Sequence, residues 1–227
     1  METLAQRDLR MDAAAVKSRI VKYWDGRSDR FMIQREEELQ SGQHRIWKQE
    51  LLSHLPRKKE RKILDVGCGC GFFSLILAEQ GHDVTGIDLT ESMIERGKQL
   101  AEKHGLHAAF QQMDAEKLAF ADRTFDAVIS RNLTWTLPHP REAYREWIRV
   151  LKPGGILLNY DAEHARYHQS HGLEGEEAHK MLSQGQMDEC MAIYGMLPIS
   201  GWKRPHEDQF CTPYPIFRIQ AVKDRSL

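Results

Sequence analysis

The sequence predicts an α/β protein with a doubly wound, mostly parallel β-sheet. From Lys62 onward, short apolar runs alternate with amphipathic helical segments, a pattern typical of a parallel sheet with helices on both faces. The first apolar run leads straight into a glycine-rich turn, and the last one alternates like an antiparallel edge strand. A length of 227 residues favours one large domain with additions.

A helical extension precedes the predicted sheet. Apolar residues recur at helical spacing in two stretches, separated by a break near residues 25–28: Val16, Ile20, Tyr23 and Trp24, and then Trp47, Leu51 and Leu55. Pro56 ends the second stretch. We interpret residues 1–60 as an N-terminal helical extension that acts as a lid, and residues 61–227 as the main domain.

The elements of the main domain follow in chain order. Strands are predicted at Lys62–Val66, Asp83–Asp88, Ala108–Gln112, Phe125–Ser130 and Gly155–Tyr160, with helices at Phe72–Gln80, Ser92–His104 and Arg141–Leu151. A helical insertion on the substrate side is predicted at about residues 161–200. An antiparallel strand at Pro215–Lys223 is expected at the sheet edge. The prolines at its start lack a backbone N–H, which disrupts the hydrogen bonds of a sheet least at an edge strand.

Composition excludes several classes of protein. Hydrophobic residues make up 41% and charged residues 29% of the chain, with a net charge of -1, which excludes a disordered chain. No apolar run reaches about 18 residues, and the N-terminus does not resemble a secretion signal, so we expect a cytoplasmic protein without a membrane partner. Its four cysteines are then expected to be reduced thiols. The balanced charge disfavours a nucleic-acid partner, and the basic run at 57–59 is interpreted as a solvated loop.

The glycine-rich turn is typical of close backbone approach to a ligand. Gly67, Gly69 and Gly71 remove three side chains from it, in the spacing G-x-G-x-G. Asp65 precedes the turn and would repel a dinucleotide pyrophosphate, whereas it would attract the cationic groups of an amino acid or a sulfonium. Asp88 ends the second strand, where it can accept hydrogen bonds from ribose hydroxyls. The alternative is a phosphate-binding turn beside an incidental aspartate.

Five segments of the chain carry a more specific pattern when they are taken together. They are ILDVGCGCG at 63–71, VTGIDLT at 84–90, Met113-Asp114-Ala115, FDAVIS at 125–130 and RVLKPGG at 149–155. In these segments the chain resembles a class I S-adenosylmethionine-dependent methyltransferase of the small-molecule, UbiE/type-11-like branch. The resemblance implies a Rossmann-like, seven-stranded sheet and S-adenosyl-L-methionine as the cofactor.

The same resemblance implies a set of cofactor-binding residues. Those around the methionine part are Asp65, Gly67, Cys68, Gly69 and Gly71; those around the nucleoside are Asp88, Leu89, Met93, Asp114 and Ala115; Arg131 completes the set. Asp114 has an alternative interpretation as a loop cap. Arg131 and Asn132 either bind an acceptor carboxylate or amide, or cap the turn that follows their strand.

Methyl transfer from a sulfonium depends mainly on alignment, and a general base is needed only if the acceptor must first lose a proton. The candidate catalytic residues are Tyr23 on the lid, Asn132 after the fourth strand and His164 after the fifth. His164, His168 and His171 share one helical face, which we interpret as a solvated surface and not as a metal site.

Three functions are compatible with these features. The first is methyl transfer to a small-molecule acceptor by in-line displacement, by a monomer or a homodimer. The second makes RNA the substrate, because of the basic run before the first strand. The third is a non-catalytic, cofactor-binding partner subunit. The acceptor atom in the first function can be an oxygen, nitrogen, sulfur or carbon.

Overall fold

The structure is a computed structural model of the chain, and it describes residues 13–55, 60–162, 196–198 and 216–223. The helices are α1 (Ala13–Asp25), α2 (Ser28–Gln40), α3 (Gly42–His54), α4 (Phe72–Ala78), α5 (Glu91–His104) and α6 (Pro140–Val150). The strands are β1 (Lys62–Val66), β2 (Asp83–Asp88), β3 (Ala109–Gln112), β4 (Phe125–Arg131), β5 (Leu151–Ala162), β6 (Met196–Pro198) and β7 (Ile216–Lys223). The predicted α/β class with a parallel sheet is confirmed.

The strands form one sheet in the order β3-β2-β1-β4-β5-β7-β6. The first five strands run parallel, and β7 pairs antiparallel with both β5 and β6. The edge position predicted for the last strand is wrong, because the short strand β6 lies outside β7. The strand order reverses between β1 and β4, and ligands of open α/β sheets bind at the carboxyl ends of the strands beside such a point.

Helices cover both faces of the sheet. On one face, β1, β4 and β5 pack against α6, whose Trp147 and Tyr144 are buried. On the other face, the same strands pack against α3 and α4 through Trp47, Phe72 and Phe73. Two apolar layers therefore hold the sheet in place, and its carboxyl edge is left for the site.

The described part of the N-terminal extension, residues 13–55, contains three helices, and the predicted break near residues 25–28 separates α1 from α2. A second break at Ser41 was not predicted; the Ser41 hydroxyl caps α3 by accepting the Gln43 N–H at 3.1 Å. Trp47 and Leu51 of α3 are completely buried in the main core. Any lid is therefore confined to α1 and α2.

Several predictions concern residues outside the described ranges. They are the helical insertion from residue 163 onward, the basic run at 57–59, the histidine face with His164, and the thiols of Cys190 and Cys211. Within the described ranges, no helix combines the length and the apolar character that crossing a membrane requires.

Candidate active site

A cavity of about 620 Å³ lies at the carboxyl ends of β1, β2 and β4, beside the reversal of strand order. This volume is in the range of roughly 300–1,000 Å³ that is usual for small-molecule sites. The sheet side contributes predicted residues to its lining: Asp65, Gly67, Cys68, Gly69, Asp88, Leu89, Met93, Asp114, Ala115, Arg131 and Asn132. Helices α1 and α2 supply the opposite wall.

The backbone of the glycine turn approaches the cavity closely at Gly67 and Gly69, which have no side chains. Gly67 and Gly69 have φ angles of 67° and 53°, which favour glycine. A Cβ atom at Gly67 would lie 2.8 Å from the Leu133 side chain, and one at Gly69 would lie 2.9 Å from the Phe31 ring. Gly71 differs from both, because it is buried against Phe110 and does not line the cavity.

Asp65 is a buried carboxyl group on the cavity wall, with only 2% of its surface exposed. The Ser74 hydroxyl donates to its Oδ2 atom at 2.6 Å. Burial raises the pKa of Asp65 to about 7, although the hydrogen bonds from Ser74 act in the opposite direction. A cationic group that entered beside this carboxyl would favour its ionised form.

Sequence reasoning missed Ser74, which holds Asp65 in place, and Gly86, which leaves room for the Ser74 hydroxyl. Ser74 is the one hydroxyl residue within the apolar helix α4, and Gly86 lies opposite Asp65 on β2. A Cβ atom at Gly86 would come within 2.8 Å of the Ser74 hydroxyl. A lone hydroxyl in an apolar helix and a glycine inside a strand are signals that could have indicated them.

Asp88 holds the glycine turn in its conformation. Its Oδ2 atom accepts the Gly69 N–H at 3.0 Å, and its Oδ1 atom accepts the Thr90 N–H at 2.9 Å. Burial raises the pKa of Asp88, whereas these backbone hydrogen bonds lower it. Each carboxylate oxygen can accept more than one hydrogen bond, so hydroxyl groups of a ligand can still bind here.

The two cysteines of the turn differ in their surroundings. Cys68 lines the cavity, whereas Cys70 is buried behind it, with its Sγ atom 3.6 Å from the Sδ atom of Met93. Burial raises the pKa of the Cys68 thiol well above its ordinary value and that of Cys70 to about 12. Both thiols are therefore protonated near neutral pH and are poor nucleophiles.

The predicted adenine end of the cavity is linked to helix α1 by Lys17. The Lys17 Nζ atom lies 2.6 Å from Asp114 Oδ2 and 2.6 Å from Glu116 Oε2. Burial alone would lower the pKa of Lys17, but hydrogen bonds to the two carboxylates raise it. Asp114 also accepts the Glu116 N–H at 2.9 Å, so the predicted loop cap is present, and the carboxylate faces the cavity as well.

Arg131 ends β4 in a cluster of charged and aromatic side chains. Its Nη2 atom donates to Glu38 Oε1 at 2.7 Å, and its guanidinium lies 4.7 Å from the Trp47 ring centroid. Asn132 has a φ angle of 56°, and its backbone N–H donates to the backbone carbonyl oxygen of Tyr160 at 2.7 Å. Both residues line the cavity.

Two of the three candidate catalytic residues, Tyr23 and Asn132, line the cavity. Tyr23 lines the cavity from α1, is 38% exposed, and has the Arg27 guanidinium 3.7 Å above its ring. Trp24 is half-buried against Phe31, so of the two aromatic residues it is Tyr23 that is more open to solvent. Asn132 lies across the cavity on the sheet side, and His164 is outside the described residues. Among the residues that are described, no three His, Cys, Asp or Glu side chains are grouped to hold a metal.

Comparison with known proteins identifies the class of this domain. Residues 64–159 match the Methyltransf_11 family, a methyltransferase domain. The solved structure of a SAM-dependent methyltransferase from Methanosarcina mazei matches with a TM-score of 0.64 and 25% identity, over 77% of this chain and 97% of that one. The predicted resemblance of the sheet domain to class I S-adenosylmethionine-dependent methyltransferases is therefore confirmed.

Individual curated proteins are similar to about half of this chain. The ubiquinone/menaquinone biosynthesis C-methyltransferase UbiE of Bartonella tribocorum is 39% identical over 127 residues, which are 53% of this chain and 49% of that protein. A ubiquinone biosynthesis O-methyltransferase of Coxiella burnetii is 37% identical over 100 residues, 44% of this chain and 43% of that protein. The chain spans about half the length of the curated relatives it matches.

Proposed function

We propose that this protein transfers a methyl group from S-adenosylmethionine to a small-molecule acceptor. The observation that carries the proposal is the order of carboxylates along one cavity: Asp65 at the glycine turn, Asp88 at the end of β2, and Asp114 after β3. A cofactor with an amino-acid group at one end and a nucleoside at the other matches this order. Bound there, it supplies an electrophilic methyl group on a sulfonium.

The residues fit the cofactor part by part. Asp65 would accept hydrogen bonds from its ammonium group, and the backbone of Gly67 and Gly69, which lines the cavity, would lie against the methionine chain. Asp88 would bind the ribose hydroxyls, and Asp114 the adenine amine. Leu89, Met93 and Ala115 would provide the apolar contacts of the base. By holding both partners, the cavity would align the acceptor with the methyl carbon and exclude water.

The acceptor is proposed to be a small molecule because helices α1 and α2 close the cavity opposite the sheet. The names of the curated relatives refer to ubiquinone and menaquinone biosynthesis, and both C- and O-methyltransferases occur among them. Either kind of acceptor atom is therefore compatible with this site. No observation favours RNA as a substrate or a non-catalytic partner role over this proposal.

Asp88→Ala should weaken binding of S-adenosylhomocysteine, the demethylated cofactor, by about 1–3 kcal/mol because the ribose hydroxyls lose their acceptor. Isothermal titration calorimetry measures the dissociation constant and the stoichiometry, which should be one site per chain. Asp83→Ala is the matched control, since Asp83 is exposed at the opposite end of the same strand. Unchanged affinity in the Asp88 variant would remove the ribose assignment.

We further propose that α1 is the moving part of the lid and that the ion pairs of Lys17 hold it in the closed position. Only Val16 of this helix is buried, whereas Lys17 joins it to two carboxylates at the adenine end. An adenine amine would approach the same Asp114 oxygen that Lys17 contacts. Opening of α1 and exchange of the cofactor would therefore be coupled through this ion pair.

Lys17→Met should increase the dissociation rate of S-adenosylhomocysteine about fivefold or more, measured by stopped-flow displacement, because the lid loses its fastening. The melting temperature should change little, since a partly exposed ion pair contributes only about 0–1 kcal/mol. Lys48→Met removes a comparable ion pair, to Glu79, away from the cavity and serves as the control. Equal dissociation rates in the two variants would contradict a fastening role for Lys17.

Tyr23→Phe should lower turnover by about tenfold or more if the hydroxyl of this lid residue acts on the acceptor. The melting temperature should remain near that of the unmodified protein, because the ring and its contacts with Arg27 and Trp24 are retained. Methyl transfer is followed with labelled cofactor. Normal turnover in this variant would exclude a catalytic hydroxyl.

A further inference from the structure

Two arginines share a single carboxylate on the wall of the cavity. Glu38 of α2 lies between them, with its Oε1 atom 2.7 Å from Arg131 and its Oε2 atom 2.6 Å from Arg35. All three side chains are largely buried, with 11–14% of their surface exposed. Among the described residues, Glu38 is the only carboxylate paired with either arginine, so the three side chains together carry a net charge of +1.

The surroundings of this cluster are largely aromatic, although the charge of Arg131 also acts on the Asp65 carboxyl group and lowers its pKa. The Arg131 guanidinium lies 4.7 to 5.5 Å from the ring centroids of Trp47, Phe72 and Phe73, and that of Arg35 lies 4.6 Å from Phe31. Cation–π contacts hold both groups in position. The Nη1 atom of Arg131 and the Nε atom of Arg35 are buried without a hydrogen-bond partner in the described part of the chain.

Burying an excess charge and hydrogen-bond donors without partners costs folding free energy, unless a further group supplies a counter-charge and acceptors. Burial and the neighbouring Arg131 lower the pKa of Arg35 to about 10, although Glu38 opposes this, so both arginines are charged at neutral pH. Guanidinium groups bind carboxylates through two parallel hydrogen bonds, a geometry that an ammonium group does not provide. A carboxylate from a ligand would neutralise the positive charge of this cluster and accept hydrogen bonds from its unpaired donors.

We propose that Arg35 and Arg131 bind a carboxylate group of the acceptor, so that the methylated substrate is an organic acid. This inference rests on the proposed function. The cofactor is assigned to the part of the cavity between Asp114 and the glycine turn. The N-terminal helices line the cavity with further polar residues: Gln34, Glu37, Ser41 and Gln43. An acidic acceptor held at the arginines would also be attracted to the sulfonium beside it.

The test compares small carboxylic acids with their primary amides, which have nearly the same shape but no charge. Binding is measured by saturation-transfer NMR, with and without S-adenosylhomocysteine, on the unmodified protein and on two variants. In the unmodified protein we expect acids to bind about tenfold or more tightly than the matching amides. Arg35→Met should abolish this preference, and Arg30→Met, which changes an exposed arginine on the same helix, should retain it.

A second variant keeps the test valid if Arg35→Met does not fold. Arg35→Lys preserves the positive charge but not the paired hydrogen bonds, so it should retain part of the preference for acids. Equal binding of acids and amides in the unmodified protein would overturn the proposal. So would a loss of S-adenosylhomocysteine affinity in Arg35→Met without a loss for 5′-methylthioadenosine, because the arginines would then bind the cofactor's own carboxylate. Failure of both nucleosides to bind the unmodified protein would contradict the proposed function instead.

Discussion

Asp65→Asn should weaken binding of S-adenosylhomocysteine about tenfold or more while it stabilises the ligand-free protein. The amide can still accept the hydrogen bond that Ser74 donates, but it has no charge with which to bind an ammonium group. One substitution would then separate the role of this residue in binding from its effect on folding. Calorimetry gives the affinity, and thermal unfolding gives the stability.

The gain in stability should depend on pH with a definite sign. The folded-state pKa of Asp65 is about 7, against an ordinary value of 3.8, because burial disfavours the charged form. Between these two values the unfolded chain ionises and the folded protein does not, so the unmodified protein loses stability as pH rises, by up to about 4 kcal/mol above pH 7. The variant avoids this loss and should gain most at pH 8 and little at pH 4.

Asp126→Asn is the matched control, because Asp126 lies at the opposite end of the sheet and pairs with Lys152. It should leave cofactor affinity unchanged and should not stabilise the protein. Equal affinities in the unmodified protein and the Asp65 variant at pH 8 would show that Asp65 does not bind the cofactor.

Trp47→Ala should cost about 3–5 kcal/mol of folding free energy, because a fully buried aromatic residue would be replaced by a cavity. Its ring contacts Phe73 and Tyr160 edge-on at centroid distances of 5.0 and 5.2 Å. For a chain of this size, we expect the melting temperature to fall by about 6–20 °C. Differential scanning calorimetry measures this change.

This result would separate the core part of the N-terminal extension from its lid part. Trp47→Phe keeps an aromatic ring and should lose much less stability, whereas Lys17→Met on α1 should leave stability nearly intact. A small effect of Trp47→Ala would mean that α3 is not part of the core and that the lid includes it.

The sheet and the glycine turn could be predicted because local patterns encode them. Strands β1 and β2 begin and end where the apolar runs do, and Asp65, Gly67 and Asp88 belong to a contiguous strand–turn–helix–strand unit. Strand β6 has only three residues, which is too short for a periodic signal, and for this reason the edge of the sheet was assigned to the wrong strand.

The wall opposite the sheet could not be predicted, for a different reason. Lys17, Arg35 and Glu38 lie on helices that carry charged residues on several faces, so no local pattern distinguishes the charges that face the cavity. Their roles depend on how α1 and α2 pack against the sheet, which is long-range information. Arg131 was predicted as a site residue, but its pairing with Glu38 arises from the same packing.

The most direct test of the central proposal is transfer of a labelled methyl group. The protein is incubated with S-adenosylmethionine carrying a ¹³C-methyl group and with a fractionated metabolite extract, and products are detected by mass spectrometry. We predict a labelled small-molecule product, formed together with S-adenosylhomocysteine, whose amount is strongly reduced when Asp65→Asn replaces the unmodified protein. Binding of the cofactor without label in any small molecule, and with label in added RNA, would contradict this account.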